Sequence, residues 1–326
     1  MNDPAVLVSV SGGKDSTATL LLALERLPKE RIFPAFADTG HEHPLTYEYL
    51  DYLQRETGLA FKRLRADFTS EWWHRRDFVR DFWPQKGVPA DIVARVMAVM
   101  ERGPTGNPFL DLCVIKAKFP SRRSQFCTQH LKRYPLDAYA IELMGKHGVI
   151  ENWQGVRADE SENRKNLPER EAAAEGWTIV RPVLRWTAAD VFAQHRKHGI
   201  KPNPLYKQGM NRVGCFPCIN VSKGELWNIS ERYPEHIARV REWEALVSDA
   251  SKRGQATFFH AHDPEATPNV NSFVEWSRTA HGGRQLDLLK SAGPPAGCVS
   301  SYGLCDLGDD DEKSNPAPEK GRGGER

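Results

Sequence analysis

The sequence has 326 residues, of which 40% are hydrophobic, and this is enough for one large domain or two small ones with a real core. Its formal charge of +2 excludes a strong global attraction to nucleic acid. The sequence lacks an apolar run long enough to cross a bilayer and a signal peptide pattern at its start, so we expect a cytoplasmic protein with no membrane partner. In that compartment the six cysteines are expected to be ligands, nucleophiles or core residues rather than disulfides.

The first predicted elements are a strand over residues 5–10 and a helix that begins near residue 14. Between them the chain reads Ser-Gly-Gly-Lys-Asp-Ser, and Gly12 and Gly13 allow a sharp turn with close approach of a ligand. The N–H groups and the positive end of the helix favour an anion, and Lys14, Ser11 and Ser16 add a charge and hydroxyl donors. This segment therefore predicts a phosphate site, although its spacing is not that of P-loop NTPases.

A second strand is predicted over residues 32–37, a helix over 45–57 and a third strand over 60–64. This alternation predicts an α/β fold built on a doubly wound parallel sheet, which binds ligands at the carboxyl ends of its strands. Asp38, Thr39 and Gly40 follow the second strand, so we expect them at the same ligand. The alternative is that Asp38 is a helix cap or a turn residue.

Residues 68–112 interrupt the regular pattern and predict a helical insertion that covers the nucleotide site. Its first part interleaves aromatic residues with arginines from Trp72 to Trp83, a pattern that clamps nucleic acid in some proteins. We favour an amphipathic helix that buries Phe78 and Phe82 and turns the arginines outward.

The next segment, residues 116–133, carries six basic residues and no acidic residue, with Cys127 near its middle. A solvated basic face with a buried cysteine is the alternative to a functional role. A fourth strand over residues 149–153 leads to Gly155 and Arg157, which places a guanidinium at the predicted ligand crevice. The alternative for Arg157 is a surface ion pair with Asp159 or Glu160.

The remaining strand is predicted over residues 179–183, and Cys215 and Cys218 follow with a spacing that chelates a metal from a single turn. Buried thiols in a loop are the alternative. Residues 221–307 predict a helical C-terminal region, with helices over 223–250 interrupted at 233–235. A polar group at His260, His262 and Asp263 is expected to be solvated rather than a metal site. Residues 308–326 predict a disordered tail.

Four of these motifs resemble those of a known family. The segment from Ser11 to Ser16 resembles the PP-loop of the ATP pyrophosphatase superfamily, whose members split ATP between its α and β phosphates. Asp38 to Gly40, Cys127 to Lys132 and the stretch from Arg157 to Cys218 resemble motifs of the phosphoadenosine phosphosulfate (PAPS) reductase-like branch. The resemblance covers about residues 5–220 and implies an adenine nucleotide alpha hydrolase-type fold with a nucleotide-binding domain over residues 1–220.

The resemblance also implies roles for individual residues. The adenosine is expected beside Asp38 to Gly40 and the phosphates on the PP-loop, with Lys132 and Arg157 at the α-phosphate or the acceptor. Catalytic roles are expected for Lys14, Asp15, Arg157 and Cys305, and nucleotide contacts for Ser11, Gly12, Gly13, Lys14, Asp15, Ser16, Asp38, Thr39, Gly40, Lys132 and Arg157.

The cysteines imply a metal centre. Cys127, Cys215 and Cys218 are expected to hold a [4Fe–4S] cluster, with a structural Zn²⁺ as the alternative. Family members with a cluster usually carry two adjacent cysteines where this chain has Cys127 and then Thr128, so a ligand must come from elsewhere. We expect Cys305 or Cys298 as the fourth ligand, with Cys113 as a further possibility.

Three functions are compatible with this pattern. Assimilatory PAPS reductases lack a lysine at the position of Lys14, so its presence favours ATP with Mg²⁺ as the substrate. The first function is therefore adenylyl transfer with release of pyrophosphate, followed by transfer of sulfur from a donor to an acceptor such as tRNA or DNA. The second function is thioredoxin-dependent reduction of PAPS or APS through Cys305, although the family's Glu-Cys-Gly-Leu-His motif is replaced here. The third is a non-catalytic component of a DNA-modification system that binds a nucleotide and a cluster.

Overall fold

The computed structural model describes residues 4–259 and 269–279. The strands are β1 (Ala5–Ser9), β2 (Ile32–Asp38), β3 (Lys62–Arg65), β4 (Ile150–Trp153), β5 (Arg170–Ala172) and β6 (Thr178–Val180). The helices up to β4 are α1 (Lys14–Arg26), α2 (Pro44–Thr57), α3 (Thr69–Phe82), α4 (Ala90–Met100), α5 (Pro108–Lys116) and α6 (Tyr134–His147). The later helices are α7 (Glu162–Lys165), α8 (Ala188–Lys197), α9 (Pro204–Lys207), α10 (Lys223–Arg232), α11 (Pro234–Asp249) and α12 (Val270–Ser277).

The strands form one sheet in the order β3-β2-β1-β4-β6-β5. All neighbours are parallel except β5, which pairs antiparallel with β6. The predicted α/β fold with a mostly parallel sheet is therefore confirmed. The direction of strand addition reverses between β1 and β4, and in open α/β sheets such a switch point creates the crevice where ligands bind.

The two faces of the sheet bury alternate residues of β1, as expected for a central strand. Val6 and Val8 pack in one apolar cluster with α1 and α2. Leu7 packs in another cluster with Leu136 and Leu143 of α6. This two-sided burial explains the uninterrupted apolar run before the PP-loop.

The end of the sheet differs from the prediction. Strand β6 ends at Val180, whereas the sequence pattern predicted residues 179–183, and the added strand β5 was not predicted. Pro182 has no N–H to donate to a strand ladder, so the pairing stops before it. Arg181 donates its backbone N–H to Glu169 O at 2.8 Å, which continues the hairpin by one bond.

The helices of residues 68–112 pack against the C-terminal helices in a third apolar cluster, which includes Trp72, Phe109, Val240 and Trp243. Within α3 the predicted buried face is wrong, because Phe78 and Phe82 are 46% and 50% exposed. The helix instead buries Trp72 and Val79, which lie two turns apart on one face. The rings of Phe78 and Phe82 stack on each other at 5.5 Å on the outside.

Among residues 4–259 and 269–279, every helix is too short or too polar to serve as a membrane span. The predictions for His260, His262, Asp263, Cys298, Cys305 and residues 308–326 lie outside the described residues. The division of the chain into the three predicted regions stays a prediction.

Candidate functional site

The loop after β1 forms a tight hydroxyl-lined turn at the N-terminus of α1. Gly12 has a φ of +78°, and a Cβ there would stand 2.9 Å from Thr46 Cγ2, so both conformation and space favour glycine. Ser11 N donates to Ser16 Oγ at 3.1 Å, and Gly13 N donates to Ser11 Oγ at 3.3 Å. These bonds fix the turn that the sequence predicted as a phosphate site.

The loop after β4 packs directly on this turn. A Cβ at Gly155 would stand 2.6 Å from Ser16 N and 2.7 Å from Asp15 C, which are backbone atoms that cannot move independently. The absence of a side chain at Gly155 therefore allows the two loops at the switch point to touch.

Replacing Gly155 by Ala is expected to lower the free energy of unfolding by about 1–3 kcal/mol, because the added methyl forces the two loops apart. Urea denaturation of the purified variant measures this change. Gly145→Ala is the matched control, since Gly145 lies within α6 with nothing within 4 Å of its added Cβ, and it should be neutral or slightly stabilising. Equal stability of Gly155→Ala and the natural protein would contradict the close packing.

Four charged side chains form a buried network over the turn. Arg157 Nε contacts Asp15 Oδ1 at 2.5 Å, with the two side chains only 6% and 3% exposed. Lys14 Nζ lies 3.1 Å from Asp15 Oδ2 and 3.9 Å from Glu160 Oε1. Burial by itself lowers the pKa of Arg157, but attraction to Asp15, Glu160 and Asp159 outweighs it and raises the pKa. Arg157 is thus a buried cation, and it also pairs with the exposed Asp159 at 2.6 Å, so the alternative of an ion pair with Asp159 or Glu160 is present beside the contact with the PP-loop.

The Asp38-Thr39-Gly40 segment lies at the end of β2. The Asp38 carboxylate accepts from Gly40 N at 2.9 Å and Tyr47 OH at 2.7 Å, and it pairs with Arg65 at 2.8 Å. Gly40 has a φ of +73° and packs against α5, where Asn107 Nδ2 donates to its carbonyl at 2.6 Å. The segment is therefore held in a fixed shape beside the helical insertion.

A small cavity lies between the turn after β1 and the end of β2. It is lined by Val10, Ser11, Phe36, Ala37, Glu42, Lys132 and Gly214. Lys132 is only 8% exposed, and its charge acts on Glu42 and Cys215. Burial raises the pKa of Glu42, and the nearby Lys132 opposes that shift. The structure thus brings Lys132 to the same crevice as Ser11.

The four cysteines among the described residues lie in two places, Cys113 with Cys127 and Cys215 with Cys218. Burial raises the pKa of Cys113 well above its usual range, and neighbouring Cys127 adds to the shift. Burial also raises the pKa of Cys215 to about 12. The charge of Lys132 opposes this shift, and neighbouring Cys218 adds to it. In the part of the chain that the structure describes, no three metal-binding side chains cluster. The described residues therefore do not assemble the predicted ligand set by themselves.

Comparison with known proteins supplies the family. The family model for the phosphoadenosine phosphosulfate reductase domain matches residues 5–221. The chain belongs to this family. It is 43% identical over 92% of its length to an uncharacterized 37.8 kDa protein of Escherichia phage 186, of which 96% is covered. It is 30% identical over 68% of its length to an adenosine 5'-phosphosulfate reductase of Allochromatium vinosum, of which 71% is covered. A PAPS reductase structure from Candida auris matches 66% of the chain and 83% of that structure, at 17% identity and a TM-score of 0.42.

In this PAPS reductase-family chain the Cys215–Cys218 loop is hydrogen-bonded to the turn after β2. Phe216 N donates to His41 O at 2.7 Å, and the His41 Nε2 ring atom lies 2.8 Å from Pro217 O. Arg239 of α11 donates to Phe216 O at 3.0 Å. The cysteine loop is therefore held against the turn after β2 by one backbone hydrogen bond and two side-chain contacts.

The pH dependence of stability tests this packing. Burial, with help from Arg239 and His43, lowers the pKa of His236 to about 4, while Glu235 opposes the shift. Because the unfolded state binds this proton more readily, the contribution is present above pH about 6.5 and is lost as the pH falls toward 4. His236→Gln is expected to reduce the loss of stability in that window, measured by urea denaturation. His74→Gln, at an exposed position, is the control and should leave the dependence of the free energy of unfolding on pH as it is in the natural protein. The prediction is contradicted if His236→Gln also leaves this dependence unchanged.

Several contacts of the family site were not predicted from the sequence. Tyr206 OH accepts from Lys14 N at 2.9 Å, and Glu160 pairs with Arg164 beneath Arg157. The Pro-Leu-Tyr phrase around Tyr206 was visible in the sequence, but its contact with the PP-loop joins residues 192 positions apart. Glu42 gives no sequence signal, because a lone glutamate after a strand is typical of a solvated turn.

Proposed function

We propose that this chain binds ATP on the PP-loop, transfers the adenylyl group to an acceptor oxygen and releases pyrophosphate. The observation that carries the proposal is the position of Lys14, at the start of α1 and only 11% exposed, beside the Arg157–Asp15 pair. A fixed cation at a helix N-terminus offsets the charge that develops on departing pyrophosphate. We place the reaction in the cytoplasm, where ATP is available.

The residues of the crevice then have separate tasks. Lys14 and the N-terminal N–H groups of α1 bind the β and γ phosphates, and the segment from Asp38 to Gly40 borders the adenosine. Lys132 is assigned to the α-phosphate, because it lines the same crevice as Ser11. The acceptor oxygen attacks the α-phosphorus as the bond to pyrophosphate breaks. A sulfur donor then attacks the acceptor carbon, and the acceptor oxygen leaves with AMP.

The proposed acceptor is a nucleic acid base in tRNA or DNA. Mg²⁺ is proposed to arrive on the phosphates of ATP, because among the described residues no three metal-binding side chains lie together. A [4Fe–4S] cluster, or Zn²⁺ as the alternative, stays a prediction from the spacing of Cys127, Cys215 and Cys218. Iron, sulfide and zinc analysis of protein purified without oxygen tests it.

A second candidate is the reduction of PAPS or APS with thioredoxin as the reductant. The observation that favours it is the 30% identity to an adenosine 5'-phosphosulfate reductase. In this reaction Cys305 would attack the sulfur of the substrate, release the nucleotide and hold sulfite as a thiosulfonate. Thioredoxin would then release sulfite and form a disulfide.

One experiment separates the candidates. Oxygen-free protein is incubated with Mg²⁺ and ATP, and separately with APS or PAPS and reduced thioredoxin, and pyrophosphate and sulfite are measured. Pyrophosphate from ATP supports the proposal. Sulfite from APS or PAPS, lost in Cys305→Ser, overturns it in favour of the reductase. Neither product, with nucleotide binding intact, would favour the non-catalytic component of a DNA-modification system.

A further inference from the structure

A second cavity, of about 560 Å³, opens between the loop before Cys127 and the helices α10 and α12. Its volume lies within the range of about 300–1,000 Å³ that is typical of ligand sites. The lining is mostly aromatic and aliphatic, and Arg122 and Arg123 stand at its edge. The cavity is separate from the one that contains Ser11 and Lys132.

The edge of this cavity is basic. Arg122 and Arg123 are both exposed, and within residues 4–259 and 269–279 neither forms an ion pair with a carboxylate. They belong to the segment 116–133, which contains no acidic residue. Two adjacent guanidinium groups without acidic neighbours in sequence favour an anionic ligand, especially one with phosphates.

The wall of the cavity is aromatic. Phe273 and Trp276 of α12 line it, with ring centres 6.3 Å apart, and Phe259 lies 5.2 Å from Phe273. Trp276 is only partly buried and has Lys223 Nζ 5.0 Å from its ring centre, whereas Phe273 is 8% exposed. Aromatic rings beside arginines bind single-stranded nucleic acid, because every base offers a face for stacking and every linkage a phosphate.

The cavity adjoins the cysteine loop. Ile219 and Val221 line it and follow Cys218 directly, and Val221 N donates to Cys218 O at 3.0 Å. On the other side, Arg122 and Arg123 precede Cys127 by a few residues. A strand held in this cavity would therefore pass next to both cysteine segments.

We propose that this cavity binds single-stranded nucleic acid, with one base against Trp276 and the flanking phosphates on Arg122 and Arg123. As the location of the acceptor, this inference rests on the proposed function; as a binding site, it stands on its own. Duplexes are expected to bind more weakly, because a paired base must be unstacked and unpaired before it can enter a pocket.

A binding experiment on the full chain tests the proposal. Fluorescein-labelled single strands of DNA and RNA, each 12 nucleotides long, are titrated with the protein without ATP, and fluorescence anisotropy measures their binding. Binding of either strand with little binding of the corresponding duplex is the expected result. Arg122→Glu with Arg123→Glu should weaken binding at least tenfold and lower the slope of log affinity against log salt by about 1.4. Arg55→Glu with Arg196→Glu, an exposed pair on α2 and α8, is the matched control and should change affinity less than threefold.

A second variant and a mapping experiment test the base contact. Trp276→Ala should weaken binding about tenfold, whereas Trp227→Ala, on the exposed side of α10, should not. Strands with 5-iodouracil should crosslink to peptides that contain Phe273 or Trp276. The proposal is wrong if no single strand binds, if duplexes bind equally well, if the two charge-reversed proteins behave alike, or if crosslinks lie only elsewhere. Because ATP is absent, these outcomes are independent of whether pyrophosphate is released.

Discussion

Replacing Lys14 by Met is expected to slow pyrophosphate release from ATP by about two to three orders of magnitude. The ammonium group is fixed at the N-terminus of α1, where its Nζ lies 3.1 Å from Asp15 Oδ2. Met keeps the length and the apolar stem but removes the charge that we propose offsets the departing pyrophosphate. Steady-state release of pyrophosphate at saturating ATP measures the effect.

The control for this variant is Lys201→Met, since Lys201 is exposed and lies in the loop between α8 and α9. It should keep the natural rate within a factor of two or three. Far-ultraviolet circular dichroism and the melting temperature establish that both variants are folded. A Lys14→Met protein that releases pyrophosphate at the natural rate would show that the lysine has no part in the chemistry.

Replacing Arg157 by Leu is expected to lower the free energy of unfolding by about 3–5 kcal/mol. The guanidinium pairs with Asp15 at 2.5 Å and with Glu160 at 3.5 Å, and all three side chains are at most 6% exposed. Its loss leaves buried carboxylates with fewer partners, which is costly because they are out of contact with water. Urea denaturation at pH 7 measures the change.

Arg63→Leu is the matched control for this prediction. Arg63 pairs with Asp51 at the same 2.5 Å, but the two side chains are 46% and 53% exposed, so the loss should be at most about 1 kcal/mol. Adding Asp15→Asn to Arg157→Leu should restore part of the lost stability by removing one stranded charge. Equal losses for Arg157→Leu and Arg63→Leu would mean that burial does not strengthen the Arg157 network.

The sequence predicted the elements that are buried on both faces or that are formed by residues adjacent in the chain. Strand β1 reads as a continuous apolar run because both faces of the sheet cover it, and the turn at Gly12 follows from residues that are adjacent in the chain. The buried face of α3 was mispredicted because Trp72 and Phe78 are both large aromatic residues. Only the position of the other helices decides which of them faces inward, and periodicity in a single helix does not contain that information.

The candidate site was predictable to the extent that its residues lie in short motifs. The motifs led to Lys14, Asp38, Lys132 and Arg157, and the structure gathers these segments at the carboxyl ends of β1, β2 and β4. Glu160 was considered only as a surface partner of Arg157. Its side chain is 5% exposed and pairs with Arg157 and also with Lys14, and a contact between residues as far apart in the chain as Lys14 and Glu160 leaves no local pattern in the sequence.

The central claim is that the PP-loop binds the phosphates of an adenine nucleotide. A calorimetric comparison of ATP and AMP binding tests this claim most directly. The two ligands share the adenosine and the α-phosphate, so any difference reports on contacts with the β and γ phosphates. We predict that ATP with Mg²⁺ binds at least about tenfold more tightly than AMP, and that Lys14→Met removes most of this difference. Equal affinities for ATP and AMP in the natural protein, or a difference that Lys14→Met leaves unchanged, would contradict the account.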